Sequence, residues 1–156
     1  KFFGSRILSF ESESNKGKSV TQEKKELILP SILESVDKAA SEADDFARKC
    51  GFGDDALYAI DMAIRESVAN AIKHGNKLDA TKDVEIAFNN SDKGLEVTVR
   101  DFGVGFAIEN VPDPTNPENL LKANGRGILF MRTFMEEVEW HNHKEGGLIV
   151  KMCKLR

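Results

Sequence analysis

Apolar positions along the chain change period several times, and each change marks an expected element. Ile32, Leu33, Val36, Ala39, Ala40, Ala43, Phe46 and Ala47 recur at helical spacing, and Gly51-Phe52-Gly53 stops the run. Ser31 stands where a side-chain cap is expected. A second helix is expected from Asp54 or Asp55 to about Lys73, closed by Gly75-Asn76, with Leu57, Ile60, Ile64, Val68, Ala71 and Ile72 as its stripe. The period then drops to two in Val84-Glu85-Ile86-Ala87-Phe88 and Leu95-Glu96-Val97-Thr98-Val99, with a hairpin loop over 89–94 between them. Glu26-Leu27-Ile28-Leu29 is a short strand whose ladder ends at Pro30.

Ile128, Leu129, Met131, Phe134 and Met135 form a third helical run, and two strands around 137–142 and 147–153 follow it. Residues 106–124 hold Pro112, Pro114 and Pro117 and read as a long ordered loop of the kind that serves as a lid. Residues 9–25 are polar and charge-mixed, so 1–25 is expected to be a mobile leader or an expression remnant, with the domain over 26–156. Hairpin-connected strands with helices gathered apart from them argue for an α+β fold. The expected form is a two-layer sandwich, its mixed, mostly antiparallel sheet carrying helices on one face.

Composition narrows the function. A chain of 156 residues, 40% hydrophobic and 31% charged, suits one globular domain rather than a disordered segment. Its net charge of -4 argues against a nucleic-acid footprint. No apolar run approaches the roughly 20 residues that span a bilayer, so no membrane role is expected. Cys50 and Cys153 lie far apart without metal-ligand spacing, which suits free thiols in a cytoplasmic protein.

The candidate chemistry begins on the second helix. Glu66 and Asn70 are four apart, hence neighbours, and lie away from the apolar stripe among Ala59, Ala63 and Ala69. An amide oxygen is a suitable ligand for Mg²⁺, and a carboxylate one turn earlier can polarise a hydroxyl. His74 follows Asn70 by four and either touches phosphate or caps the helix end. A strand then ends in Asp101-Phe102-Gly103-Val104-Gly105: a carboxylate able to accept an exocyclic amine, beside glycines that admit a ligand to the backbone. Gly125-Arg126-Gly127 opens the third helix, where free N–H groups and a guanidinium suit phosphate. Asp101-Phe102-Gly103 also matches a protein-kinase triplet, but no glycine-rich loop with a strand lysine and no His-Arg-Asp motif accompanies it. His141 and His143 share a strand face without a third metal ligand, and Trp140, Phe134, Met131 and Met135 suit a core.

Taken in order, these motifs resemble the GHKL ATPase superfamily. The N-box is Glu66 to Gly75 (ESVANAIKHG) and the glycine boxes are Asp101 to Phe106 (DFGVGF) and Gly125 to Ile128 (GRGI). Compact length, the lid text Asp113 to Leu120 (DPTNPENL) and Gly125 to Val138 (GRGILFMRTFMEEV) make the chain most similar to anti-sigma factor serine kinases of the RsbW/SpoIIAB type. That resemblance implies a Bergerat ATP-binding fold with ATP and Mg²⁺ as cofactors. Asn70 would bind Mg²⁺, Glu66 would be the catalytic base, Asp101 would hold the adenine amine, and Gly103 and Gly105 would shape the pocket. Gly125, Arg126 and Gly127 would close on the phosphates. It implies a serine/threonine kinase acting on a STAS-domain anti-anti-sigma protein, sequestering a sigma factor, commonly as a homodimer. The alternative is a non-catalytic, nucleotide-responsive binding module that sequesters a sigma factor or another regulatory partner. One departure stands out: the family places a threonine after the final glycine to hold adenine through water, whereas Gly146-Gly147 here precedes Leu148.

Overall fold

A computed structural model of the chain describes residues 4–10, 22–105 and 130–156, with side chains of 6–10 excepted. Six strands form one sheet: β1 (Gly4–Phe10), β2 (Gln22–Pro30), β3 (Asp83–Asn90), β4 (Gly94–Arg100), β5 (Glu137–Asn142) and β6 (Leu148–Leu155). Their order is β1-β2-β3-β4-β6-β5, and all five pairings are antiparallel. Helices α1 (Glu34–Lys49) and α2 (Asp54–Asn70) pack together, and residues 130–134 add a further helical turn.

Alternation decides which face is covered. In β3 the buried apolar residues are Val84, Ile86 and Phe88, and in β4 Leu95, Val97 and Val99. They meet Ala39, Ala40, Ala43, Phe46 and Ala47 of α1 and Leu57, Ile60, Ile64 and Val68 of α2 in a single core. The ring of Phe46 lies 5.6 Å from that of Phe88, which ties α1 to the sheet. Among the described residues, no helix is long and apolar enough to cross a membrane.

Four local expectations are corrected. Gly4–Phe10, assigned to the leader, forms β1, and β2 starts at Gln22 rather than Glu26; Gly4 pairs with Ile28 and Phe10 with Gln22. Residues 11–21 of that leader lie outside the described residues. Ser31 does not cap α1: Leu33 takes the cap position without a side-chain bond, and Ser31 Oγ donates instead to the Lys82 carbonyl at 2.7 Å. Neither Asp54 nor Asp55 caps α2, because Gly53 holds that position and both aspartates fall in the first turn. There they still favour the helix, since carboxylates lie near the positive end of its dipole.

The early start of β2 follows from its pairing, Gln22 with Phe10 and Glu23 with Asn90, which also brings Lys25 against α1. Lys25 lies on the helix-facing side and is 7% exposed, yet its ammonium donates to Glu42 of α1, which also accepts from Lys38. These hydrogen bonds, that from Lys25 first, hold the Glu42 carboxyl below its ordinary value of 4.5 although burial opposes them. A lowered folded value means that the contribution to stability is complete above about pH 4.5 and is lost as pH falls through that lower value. Lys25→Met is expected to lose about 1–2 kcal/mol at neutral pH. Urea titrations of both proteins at descending pH check this, and their difference should shrink below about pH 4.5.

Candidate functional site

The site is organised at the C-terminal end of α2. Instead of stopping at Lys73, the helix widens at Asn70 into a π-helical turn over Ala71–Gly75. The Asn76 N–H then reaches back five residues to the Ala71 carbonyl at 2.8 Å, and the Leu78 N–H donates to the Ile72 carbonyl at 2.8 Å. Lys77 and Leu78 follow in left-handed conformation, with φ of 52° and 59°. Left-handed backbone is costly for side-chain-bearing residues, and π-turns concentrate at functional sites.

This turn carries Gly75 against Asp101. The Asp101 side chain is buried beyond the end of β4, and its N–H still pairs with the Leu148 carbonyl at 3.1 Å. Oδ1 accepts from the Gly103 N–H at 2.9 Å and the Leu148 N–H at 3.2 Å, so the hydrogen bonds it accepts from described residues all land on one oxygen. Its other oxygen, Oδ2, faces Gly75: a Cβ there would lie within 3.0 Å of Oδ2, Cγ and Cβ of Asp101. A Cβ on Gly103 would strike the Gly75 carbonyl, and one on Gly147 the Asp101 carbonyl, both closer than 3.0 Å. Gly147 also has φ of +88°. Three glycines thus permit close approach around Asp101: Gly75 against its carboxylate, Gly103 against Gly75, and Gly147 against the Asp101 main chain. At Gly105 φ is +71° and a Cβ would crowd the Asn142 side chain, so this glycine shapes the turn rather than the carboxylate's cradle.

Glu66 and Asn70 lie further back on the same helix, both half-buried. No hydrogen bond or ion pair joins either side chain to another described residue. Nine residues separate Glu66 from Gly75, roughly 13 Å of helix. Of the flanking alanines, Ala59 and Ala63 are buried and Ala69 is half-buried. His74 is exposed on the π-turn. Gly125, Arg126, Gly127 and the lid over 106–124 lie outside the described residues.

The remaining candidates resolve simply. Met131 and Met135 are buried in the core, and Phe134 stacks edge-on with Tyr58 and Phe130 at 5.8 and 4.9 Å. Trp140 packs against the core beneath the Arg132 guanidinium. His141 is exposed on β5, while His143 lies past its end and accepts the Glu145 N–H at Nδ1. Among the described residues no group of three His, Cys, Asp or Glu side chains could hold a metal. Both cysteines are free, and burial, reinforced by Glu23, pushes the Cys50 thiol up to about 11.

Sequence reasoning missed three participants. Gly75 registers only as a helix stop and the end of the N-box, Asn76 only as a helix stop, and Gly147 only as a landmark before Leu148. Their roles depend on Asp101, which is distant in sequence. Leu148 itself has no hydroxyl where the threonine was expected, but its backbone grips Asp101 through both N–H and carbonyl.

The family model described as "Histidine kinase-like ATPase domain" matches residues 29–154. The chain belongs to this family. Membership in an ATPase-domain family implies an ATP site, and the Asp101 cradle lies within the matched span. The chain is 34% identical to the anti-sigma F factor of Clostridium perfringens over 102 residues, covering 63% of this chain and 71% of that protein. It is 29% identical to the serine-protein kinase RsbW of Bacillus subtilis over 135 residues, 83% of each chain. Among solved structures, the RsbU and RsbW domains of a Mycobacterium tuberculosis protein match with a TM-score of 0.58 and 17% identity. That match covers 83% of this chain and 32% of the other, and it supports the RsbW-like α+β fold.

Proposed function

We propose that this chain is an anti-sigma-factor-like serine/threonine protein kinase that binds Mg-ATP and phosphorylates a STAS-domain anti-anti-sigma partner. Transcription would then be regulated by partner switching, with a sigma factor as the alternative partner and a cytoplasmic homodimer as the working form. The names of the relatives support the class. The observation that carries it for this chain is the Asp101 cradle, built on the end of the helix that presents Glu66 and Asn70.

In this reading Asp101 Oδ2 accepts the adenine amine, while Gly103 and Gly105 let the backbone approach the base. Glu66 accepts the proton of the attacking seryl hydroxyl, and Gly125, Arg126 and Gly127 donate to phosphate oxygens. The residues fit a magnesium ion: the Asn70 amide is half-buried and unengaged by described residues, and its oxygen is a hard ligand suited to complement phosphate and water. Bound there, magnesium supplies neutralisation of phosphate charge. His74 stands one turn further on, where it contacts phosphate or complements the helix end.

The test is incubation with labelled ATP, Mg²⁺ and STAS-domain proteins encoded beside this chain. Phosphoserine on one of them is the expected result; none on any of them overturns the kinase reading. Leu148 favours a second reading, because the side chain that would assist adenine binding is apolar. Under that reading the chain is a nucleotide-responsive module that sequesters its partner without turnover, and calorimetry would find partner binding without transfer.

A further inference from the structure

Asn76 is 1% exposed, and each polar group of its side chain is engaged. Its Oδ1 accepts the Phe102 N–H at 2.8 Å. Its Nδ2 donates to Ser31 Oγ at 2.7 Å and to the Asp83 carbonyl at 2.9 Å. Ser31 Oγ in turn donates to the Lys82 carbonyl. One amide therefore joins four segments: the end of α2, the β2–α1 junction, the entry to β3 and the exit from β4.

The exit from β4 matters most. Antiparallel pairing with β6 runs through Asp101, whose N–H still meets Leu148. At Phe102 the ladder stops and Asn76 takes over as acceptor. The chain then bends back so that the Gly103 N–H reaches Asp101 Oδ1. The direction of the Asp101 carboxylate thus depends on where Phe102 is held. Two consecutive left-handed residues, Lys77 and Leu78, directly follow Asn76, and the π-turn directly precedes it. Helix-end geometry of this kind persists where surrounding contacts over-determine it, and the Asn76 amide supplies three such contacts.

We propose that Asn76 is the positioning residue of the base-binding end of the site, fixing Phe102 so that Asp101 Oδ2 is aimed at the exocyclic amine of a purine. It deepens the ATP-site reading and rests on it. Asn76 touches no nucleotide in this account; it acts through Phe102 and Asp101.

The measurement is a pair of dissociation constants, for ATP and for purine riboside triphosphate, which lacks the 6-amine. A charge-assisted hydrogen bond from that amine should give the unaltered protein a preference of about tenfold for ATP. Asn76→Ala should lower the preference to roughly twofold or less while the affinity for the amine-free analogue changes little. Ser31→Ala removes one acceptor of the Asn76 amide, is milder for folding, and should lower the preference partway. A purely structural role would weaken both ligands equally and leave their ratio at its starting value. An unchanged ratio in folded Asn76→Ala, or in Ser31→Ala should the first variant not fold, overturns the proposal. Failure of the unaltered protein to bind or to prefer ATP instead overturns the ATP-site reading itself, so the two failures are distinguishable.

Discussion

Glu66→Gln is expected to lower phosphoryl transfer to a STAS-domain partner by about 10²–10⁴-fold while ATP affinity stays within about twofold. The substitution keeps the side chain's size and its place on α2 but removes the basic oxygen. No ion pair or hydrogen bond to another described residue is broken, so little stability should be lost. Single-turnover transfer and calorimetric ATP binding on the same preparation separate the two effects. Loss of binding in parallel with transfer would mean that Glu66 holds the nucleotide rather than moving a proton. Unchanged transfer would remove it from the chemistry.

Gly75→Ala is expected to weaken ATP binding by about 100-fold or more, with a loss of global stability beside it. The added Cβ would lie against Oδ2, Cγ and Cβ of Asp101, so the carboxylate cannot evade it by turning its far end alone. Displacing Asp101 breaks the bonds from Gly103 and Leu148 that orient it, and charge-assisted bonds of this kind are each worth about 1.5–3 kcal/mol. Helix propensity runs the other way, since alanine is the better helix former by about 1 kcal/mol. Stability should therefore fall as well, by about 2–5 kcal/mol, so binding is measured well below the variant's own melting transition. Titration with ATP and a thermal melt of the same variant check it, and unaltered affinity would mean that the Asp101 cradle is not where the base binds.

Legibility of the candidate site followed the range of the interactions involved. Glu66 and Asn70 could be singled out because both lie on one helix, where spacing of four fixes adjacency. Asp101 and Gly103 could be singled out because a strand end followed by glycines is a local pattern. Gly75 could not. Its need to lack a side chain comes from Asp101, 26 residues later, and the expected helix stop already accounted for a glycine there. Asn76 was hidden for the same reason, since a buried hub and an exposed helix cap look alike in a string of residues. The loss expected at Leu148 rested on its side chain alone, whereas the structure uses its main chain, which every residue type carries.

By itself the sequence determined the alternation of β3 and β4, the helical stripes of α1 and α2, and therefore an α+β sandwich with one covered face. It also placed Glu66 beside Asn70 on one helix and glycines beside Asp101 at a strand end, because short-range periodicity and steric permissiveness are properties of neighbouring residues. Only the tertiary structure decided that β1 pairs with β2 and that Lys25 is buried on Glu42. It likewise decided that α2 ends in a π-turn, that the Asp101 carboxylate accepts from Gly103 and Leu148 and lies against Gly75, and that Asn76 accepts the Phe102 N–H. Each of these depends on segments distant in sequence meeting at hydrogen-bonding distance. No local pattern encodes that meeting, because the energies that fix it exist only once the core has brought the segments together.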